Sequence, residues 1–145
     1  MVIINVGACD FPLKEDTDVE GCYITYVETV NTIIQACPNA NVVMSSIFPR
    51  AGDNRTRTNS QIASFNKKIE QLAEEDVPLL YFCNNSVHFE VEEGVINSLY
   101  KHAETFGIHV NAEGKQRLSS SSTAIMKEIF LSEKLTAAAA LSSHV

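Results

Sequence analysis

Clustered positive charge is missing from this sequence. Its 11 Lys and Arg residues form no run longer than the Lys67-Lys68 pair, against 18 Asp and Glu and a formal charge of -7. A phosphate-neutralising surface needs basic side chains gathered on one face, so direct nucleic-acid binding is not expected. Cysteine is sparse too. Cys9, Cys22, Cys37 and Cys83 include no CxxC pair, which argues against zinc or iron-sulfur ligation and against a dense disulfide framework. No signal peptide precedes the first apolar run, and no apolar stretch approaches the roughly 20 residues that cross a bilayer. These absences make an intracellular, cytoplasmic setting the expectation, with no membrane association.

What is present suits one compact domain. The chain has 145 residues, of which 45% are hydrophobic, enough for a single core. Val2 to Val6 is β-branched and nearly all apolar, the pattern of a strand buried on both faces of a parallel sheet. Because it starts at the second residue, the chain reads as a fragment of a larger domain. Apolar positions Tyr23, Tyr26, Val27, Val30, Ile33 and Ile34 recur at helical spacing, predicting a helix from about Cys22 to Ala36 that Cys37-Pro38-Asn39 ends. Asn41 to Ile47 is a second strand. Asn59-Ser60 is expected to cap a helix from Gln61 to Glu74, with Ile62, Phe65, Ile69 and Leu72 inward. Val77 to Cys83 supplies a third strand, with Pro78 tolerated at its start.

Phe89 to Glu104 lacks clean periodicity and reads as a loop with one weak helix around Val95 to His102. A last helix opens at Ala112-Glu113-Gly114, its early turns weakened by the serines at 119 to 122. The domain is taken as residues 1-135, with a tail at 136-145. Strands alternating with helices predict an α/β fold, a parallel sheet with helices on both faces. Only three strands are convincing, so an exposed edge could accept a strand from a protein partner or pair in a homodimer.

Residues at the carboxyl ends of the strands are the candidates for chemistry, since open α/β sheets bind ligands there. Gly7 and Asp10 follow the first strand, with Cys9 between them. Arg50 follows the second, where a guanidinium can clamp an anion or pair with a carboxylate. Asn66 lies mid-helix, and its structural reading is a tether to a neighbouring loop. His109 sits in a glycine-flanked turn, held by a loop and the start of a helix. Cys9, brought close to His109, would make a thiolate-imidazole pair.

The ordered blocks Ile4-Asn5-Val6-Gly7-Ala8-Cys9-Asp10, Val43-Met44-Ser45-Ser46-Ile47-Phe48-Pro49-Arg50, Asn66, and Gly107-Ile108-His109-Val110-Asn111-Ala112-Glu113-Gly114 resemble the SGNH (GDSL-type) hydrolases, with similarity from residue 3 to about residue 118. The nearest flavour is the esterase-like domains of animal genomes and some retrotransposons. The resemblance implies a three-layer α/β/α flavodoxin-like sandwich with its first strand block missing, and ester hydrolysis by a serine without metal or organic cofactor. The Gly-Asp-Ser block that carries the nucleophile is absent. Cys9 stands where the family has its oxyanion-binding Asn, and a thiol is a weak donor. His109 matches the general base and acid, but Phe106 occupies the position of the aspartate that would orient it. Glu104 and Glu113 are acidic neighbours off the expected spacing.

These departures imply an SGNH-like domain inactive as this chain, a pseudoenzyme whose partner would be a small ester. The alternatives are an active carboxylic-ester hydrolase completed by upstream sequence, or a non-enzymatic protein-binding module.

Overall fold

The computed structural model describes residues 1–13, 15–75, 77–92, 94–101 and 107–142. Its centre is a parallel sheet of three short strands, β1 (Val2–Ile4), β2 (Val42–Ser45) and β3 (Leu80–Cys83), in that spatial order. Ile3 lies opposite Val43, and Val43 opposite Tyr81. Helix α1 (Val19–Ala36) links β1 to β2, and α2 (Thr56–Glu74) links β2 to β3. Two right-handed crossovers stepping the same way across a sheet put both helices on one face. There Ile4, Val42, Met44 and Leu80 meet Tyr26 and Val30 of α1 and Ile62, Phe65 and Ile69 of α2.

Side chains alternate along a strand, so Val43 and Cys83 point the other way. They pack on Ile129 of α3 (Ala112–Ser142), with Tyr81 and Ile125 beside them. Helices on both faces of a parallel sheet give the α/β/α sandwich expected from the sequence.

β1 departs from expectation. It ends at Ile4, and Ile3 and Val6 are 40% and 53% exposed, whereas all four residues of β2 are buried. Only β2 borders β1 among the described residues. A run of apolar residues marks a strand without saying whether it lies at the centre or the edge, so the two-sided burial predicted for Val2 to Val6 holds for β2 instead.

The helix starts also move. Asp18 caps α1 by accepting a 3.0 Å hydrogen bond from the Gly21 N–H, so the helix starts at Val19, three residues ahead of the predicted start. α2 opens at Thr56, and Asn59 lies inside it. Its side chain accepts from the Arg50 N–H at 2.7 Å and donates to the Arg50 carbonyl at 3.0 Å, so it fastens the incoming loop instead of capping the helix.

The described part of Val95 to His102 forms no α-helix, only one 3-10 turn of helix. The chain makes a short hairpin of β4 (Glu90–Val91) and β5 (Gly94–Val95), then a 3-10 turn at Asn97–Leu99. The cause is tertiary: Phe89, Leu99 and Tyr100 are pulled into a second core with Ala51 and Val110. α3 accommodates its serines and runs to Ser142, and Ser121 Oγ lies 3.5 Å from Cys83 Sγ. All four cysteines are free. No described helix is long and apolar enough to cross a membrane.

Candidate functional site

His109 is carried by a loop that backbone hydrogen bonds fasten on several sides. Gly107 has φ 60°, and a Cβ at this position would collide with the Ala51 carbonyl; only glycine allows that approach. The Ala51 N–H donates to the Gly107 carbonyl at 3.1 Å, the Lys101 N–H to the His109 carbonyl at 3.0 Å, and the Asn111 N–H to the Leu99 carbonyl at 2.9 Å. Tyr100 and Val110 pair across an antiparallel bridge. Below them the buried Tyr100 hydroxyl donates to the Pro49 carbonyl. Asn111 then joins loop to helix: its amide donates to the Ser98 carbonyl at 2.6 Å and its oxygen accepts from the Gly114 N–H at 3.1 Å, an N-cap for α3.

The His109 side chain is exposed and lines a cleft of about 310 Å3 over the ends of β1 and β2. Its neighbours there include Asn5, Ala8, Ile47, Phe48, Lys101, Lys115 and Leu118. The other residues singled out in the sequence lie elsewhere. Gly7 and Asp10 line a larger cleft of about 530 Å3 beside α1, together with Asp16, Asp18, Cys22 and Tyr26. In that acidic surrounding, burial first and then the Asp10 and Asp18 carboxylates push the Cys22 thiol above its ordinary pKa. Cys9 is exposed and borders neither cleft.

Arg50 and Asn66 serve the framework. Arg50 is 4% exposed and donates to the carbonyls of Ala8 and Phe11 at 2.6 and 2.7 Å, which shapes the turn after β1. Asn66 accepts from the Ile47 N–H at 2.8 Å and donates to the Ile47 carbonyl at 2.7 Å, the tether its mid-helix position suggested. Phe106 and Glu104 fall outside the described residues. Glu113 pairs with Arg117 at 3.2 Å, and both line a separate hollow on α3. Among the described residues no cluster of His, Cys, Asp and Glu is arranged to hold a metal ion.

Sequence reasoning passed over Lys101, Lys115 and Asn5. Lys115 belongs to the first turns of α3, and Lys101 is placed by the bridge to the histidine turn. Neither is marked by a motif, so only tertiary structure gathers them.

No protein-family profile and no curated protein matches the chain. Solved structures do resemble it. A proposed platelet activating factor protein from Streptococcus pneumonia superposes with TM-score 0.70 at 19% identity, over 85% of this chain and 57% of that one. A GDSL-like lipase from Bacteroides thetaiotaomicron gives 0.68 at 18% identity, over 89% and 62%. A proposed acylhydrolase from Bacteroides fragilis gives 0.65 at 17%, over 88% and 61%. The chain thus spans about three fifths of the length of each. With its parallel sheet, two-sided helices and a histidine turn at the strand ends, the chain has an SGNH/GDSL hydrolase-like α/β/α fold.

Proposed function

We propose that this chain is an SGNH/GDSL acylhydrolase-like domain that binds a small ester-like ligand beside His109 and does not hydrolyse it unaided. The supporting observation is the lining of the His109 cleft. Its walls are Asn5, Val6, Ala8, Ile47, Phe48, Lys101, Ile108, Val110, Lys115 and Leu118. None of these carries a hydroxyl or thiol. A histidine base accelerates acyl transfer by taking a proton from a nucleophile held within hydrogen-bond reach; the described residues that line this cleft with His109 include no serine, threonine or cysteine. Purified chain and its His109→Ala variant should hydrolyse p-nitrophenyl acetate at the rate of buffer. A clear rate above buffer that collapses in the variant would overturn the reading.

A second reading is favoured by the length comparison, since the chain covers only 57% to 62% of the similar structures. A serine supplied by upstream sequence would convert the same cleft into an ester-hydrolysing site, with His109 as general base. Appending that upstream sequence and recovering His109-dependent turnover would establish this version.

A further inference from the structure

Among the described residues, the charged side chains that line the His109 cleft are basic, against the acidic balance of the whole protein. Although acidic residues outnumber basic ones 18 to 11, no Asp or Glu lines this cleft among the described residues, while Lys101, Lys115 and His109 all do. Elsewhere basic side chains find carboxylates: Lys68 with Glu20 at 2.8 Å, Arg57 with Asp16 at 3.2 Å, and Arg117 with Glu113 at 3.2 Å. The last pair matters most. Glu113 is the acidic residue in the first turn of α3, and its bond to Arg117 commits it to a neighbour other than Lys115. Lys101 and Lys115 themselves form no ion pair with any described residue. Asp10, Asp16 and Asp18 line the other cleft, beside α1.

The rest of the lining adds a second requirement. Ala8, Ile47, Phe48 and Leu118 give the cleft apolar walls, and a volume of about 310 Å3 is at the small end of ligand sites. We infer that the His109 cleft binds a small amphipathic anion, its carboxylate or phosphate held between Lys101 and Lys115 and its short hydrocarbon part lying against Phe48 and Leu118. Two lysines lining one cleft, with no described carboxylate among its lining residues, favour the entry of an anion. The site would then choose among esters by the charge they carry.

The inference rests on the ligand-binding role proposed for this cleft, but it is read by binding and not by turnover. Hydrolysis of p-nitrophenyl acetate would overturn the inactive reading and leave the anion preference standing. The test is a two-dimensional 15N NMR titration of the full chain with hexanoate, hexyl phosphate and neutral hexanol. One or both anions should shift the amides of Lys101, His109, Val110 and Lys115 saturably, and the stronger of the two identifies the headgroup. Hexanol should bind much more weakly. The double variant Lys101→Ala/Lys115→Ala should lower anion affinity roughly five- to tenfold, the scale of two exposed charge contacts, and added salt should weaken the wild type. Both lysines are exposed, so the variant should keep its fold, which its melting curve checks. The inference is overturned by hexanol binding as tightly as the anions, by an unchanged affinity in the double variant, by shifts centred on Asp10 and Asp18, or by no saturable shift with either anion.

Discussion

Tyr26 and Tyr100 occupy two different cores of this molecule. Tyr26 lies among α1, α2 and the sheet, its ring meeting Phe65 edge-on at 5.4 Å; Tyr100 lies beneath the histidine loop, edge-on to Phe89 at 5.8 Å. They are 5% and 2% exposed, and burial raises both hydroxyls well above the ordinary tyrosine range. Yet Tyr100 donates to the Pro49 carbonyl, while the Tyr26 hydroxyl has no hydrogen-bond partner among the described residues. The larger core is held by apolar area, and one unsatisfied hydroxyl is tolerated in it. The smaller core has few residues to bury, so it depends on specific polar and backbone fits, and those fits aim His109.

The sharpest way to break this contrast is at Gly107. Gly107→Ala adds a Cβ against the Ala51 backbone at a left-handed φ, and should destabilise by about 3 kcal/mol or more with loss of the histidine loop's amide protection. A urea-denaturation change under about 1 kcal/mol would mean that the small core yields easily. Next comes Tyr100→Phe, which strands the Pro49 carbonyl and should cost about 1–2 kcal/mol. Faster exchange of the amides at Lys101, His109 and Asn111 than elsewhere would show that the damage stays local, and uniform loss would contradict that.

The smallest effect is expected of Tyr26→Phe, within about 0.5 kcal/mol of wild type or slightly stabilising, because removing an unpaired buried hydroxyl forfeits no hydrogen bond. Its pH signature has a definite sign. A folded-state pKa raised above the ordinary value near 10 means that the native state holds the proton more tightly. That contribution is complete below about pH 10 and is lost as pH rises beyond it, so the variant should show the flatter alkaline limb in its stability curve. An equally steep limb would place the linkage on other groups whose pKa is raised, such as Tyr100 and Tyr23.

How much of this was legible in the sequence depended on where local pattern and burial agree. α1, α2 and β2 declare themselves because helical spacing or an apolar run coincides with their position under other elements. Asn66 could be read as a tether because a polar side chain in the middle of an inward-facing helix needs a partner. The segment from Phe89 to Lys101 was not legible: its hairpin strands are two residues long, and the placement of Phe89, Leu99 and Tyr100 is decided by a core assembled from distant parts of the chain. The same holds for the His109 cleft. The histidine turn was conspicuous through Gly107 and its resemblance block, whereas Asn5, Lys101 and Lys115 reach it from three separate elements. Gly7, Asp10 and Arg50 were grouped with His109 by their positions at strand ends, and Asn66 by its place in the resemblance, neither of which amounts to a shared cavity.

One long helix spans two regimes of this structure. At 31 residues, α3 is about 46 Å long, whereas a four-residue strand of the sheet it covers extends only about 13 Å. Among the described side chains Ile129 is the last of α3 in the core, and Asn41 donates to Glu133 at 2.7 Å a turn later. Beyond that, Leu135 is 72% exposed, and the alanine-rich sequence that follows has high intrinsic helix propensity. Short helical segments without packing are marginal in water. The first half of α3 is therefore tied to the cooperative unit of the sheet, while the exposed stretch around Leu135 leans more on intrinsic helix propensity, and so on alanine content and temperature.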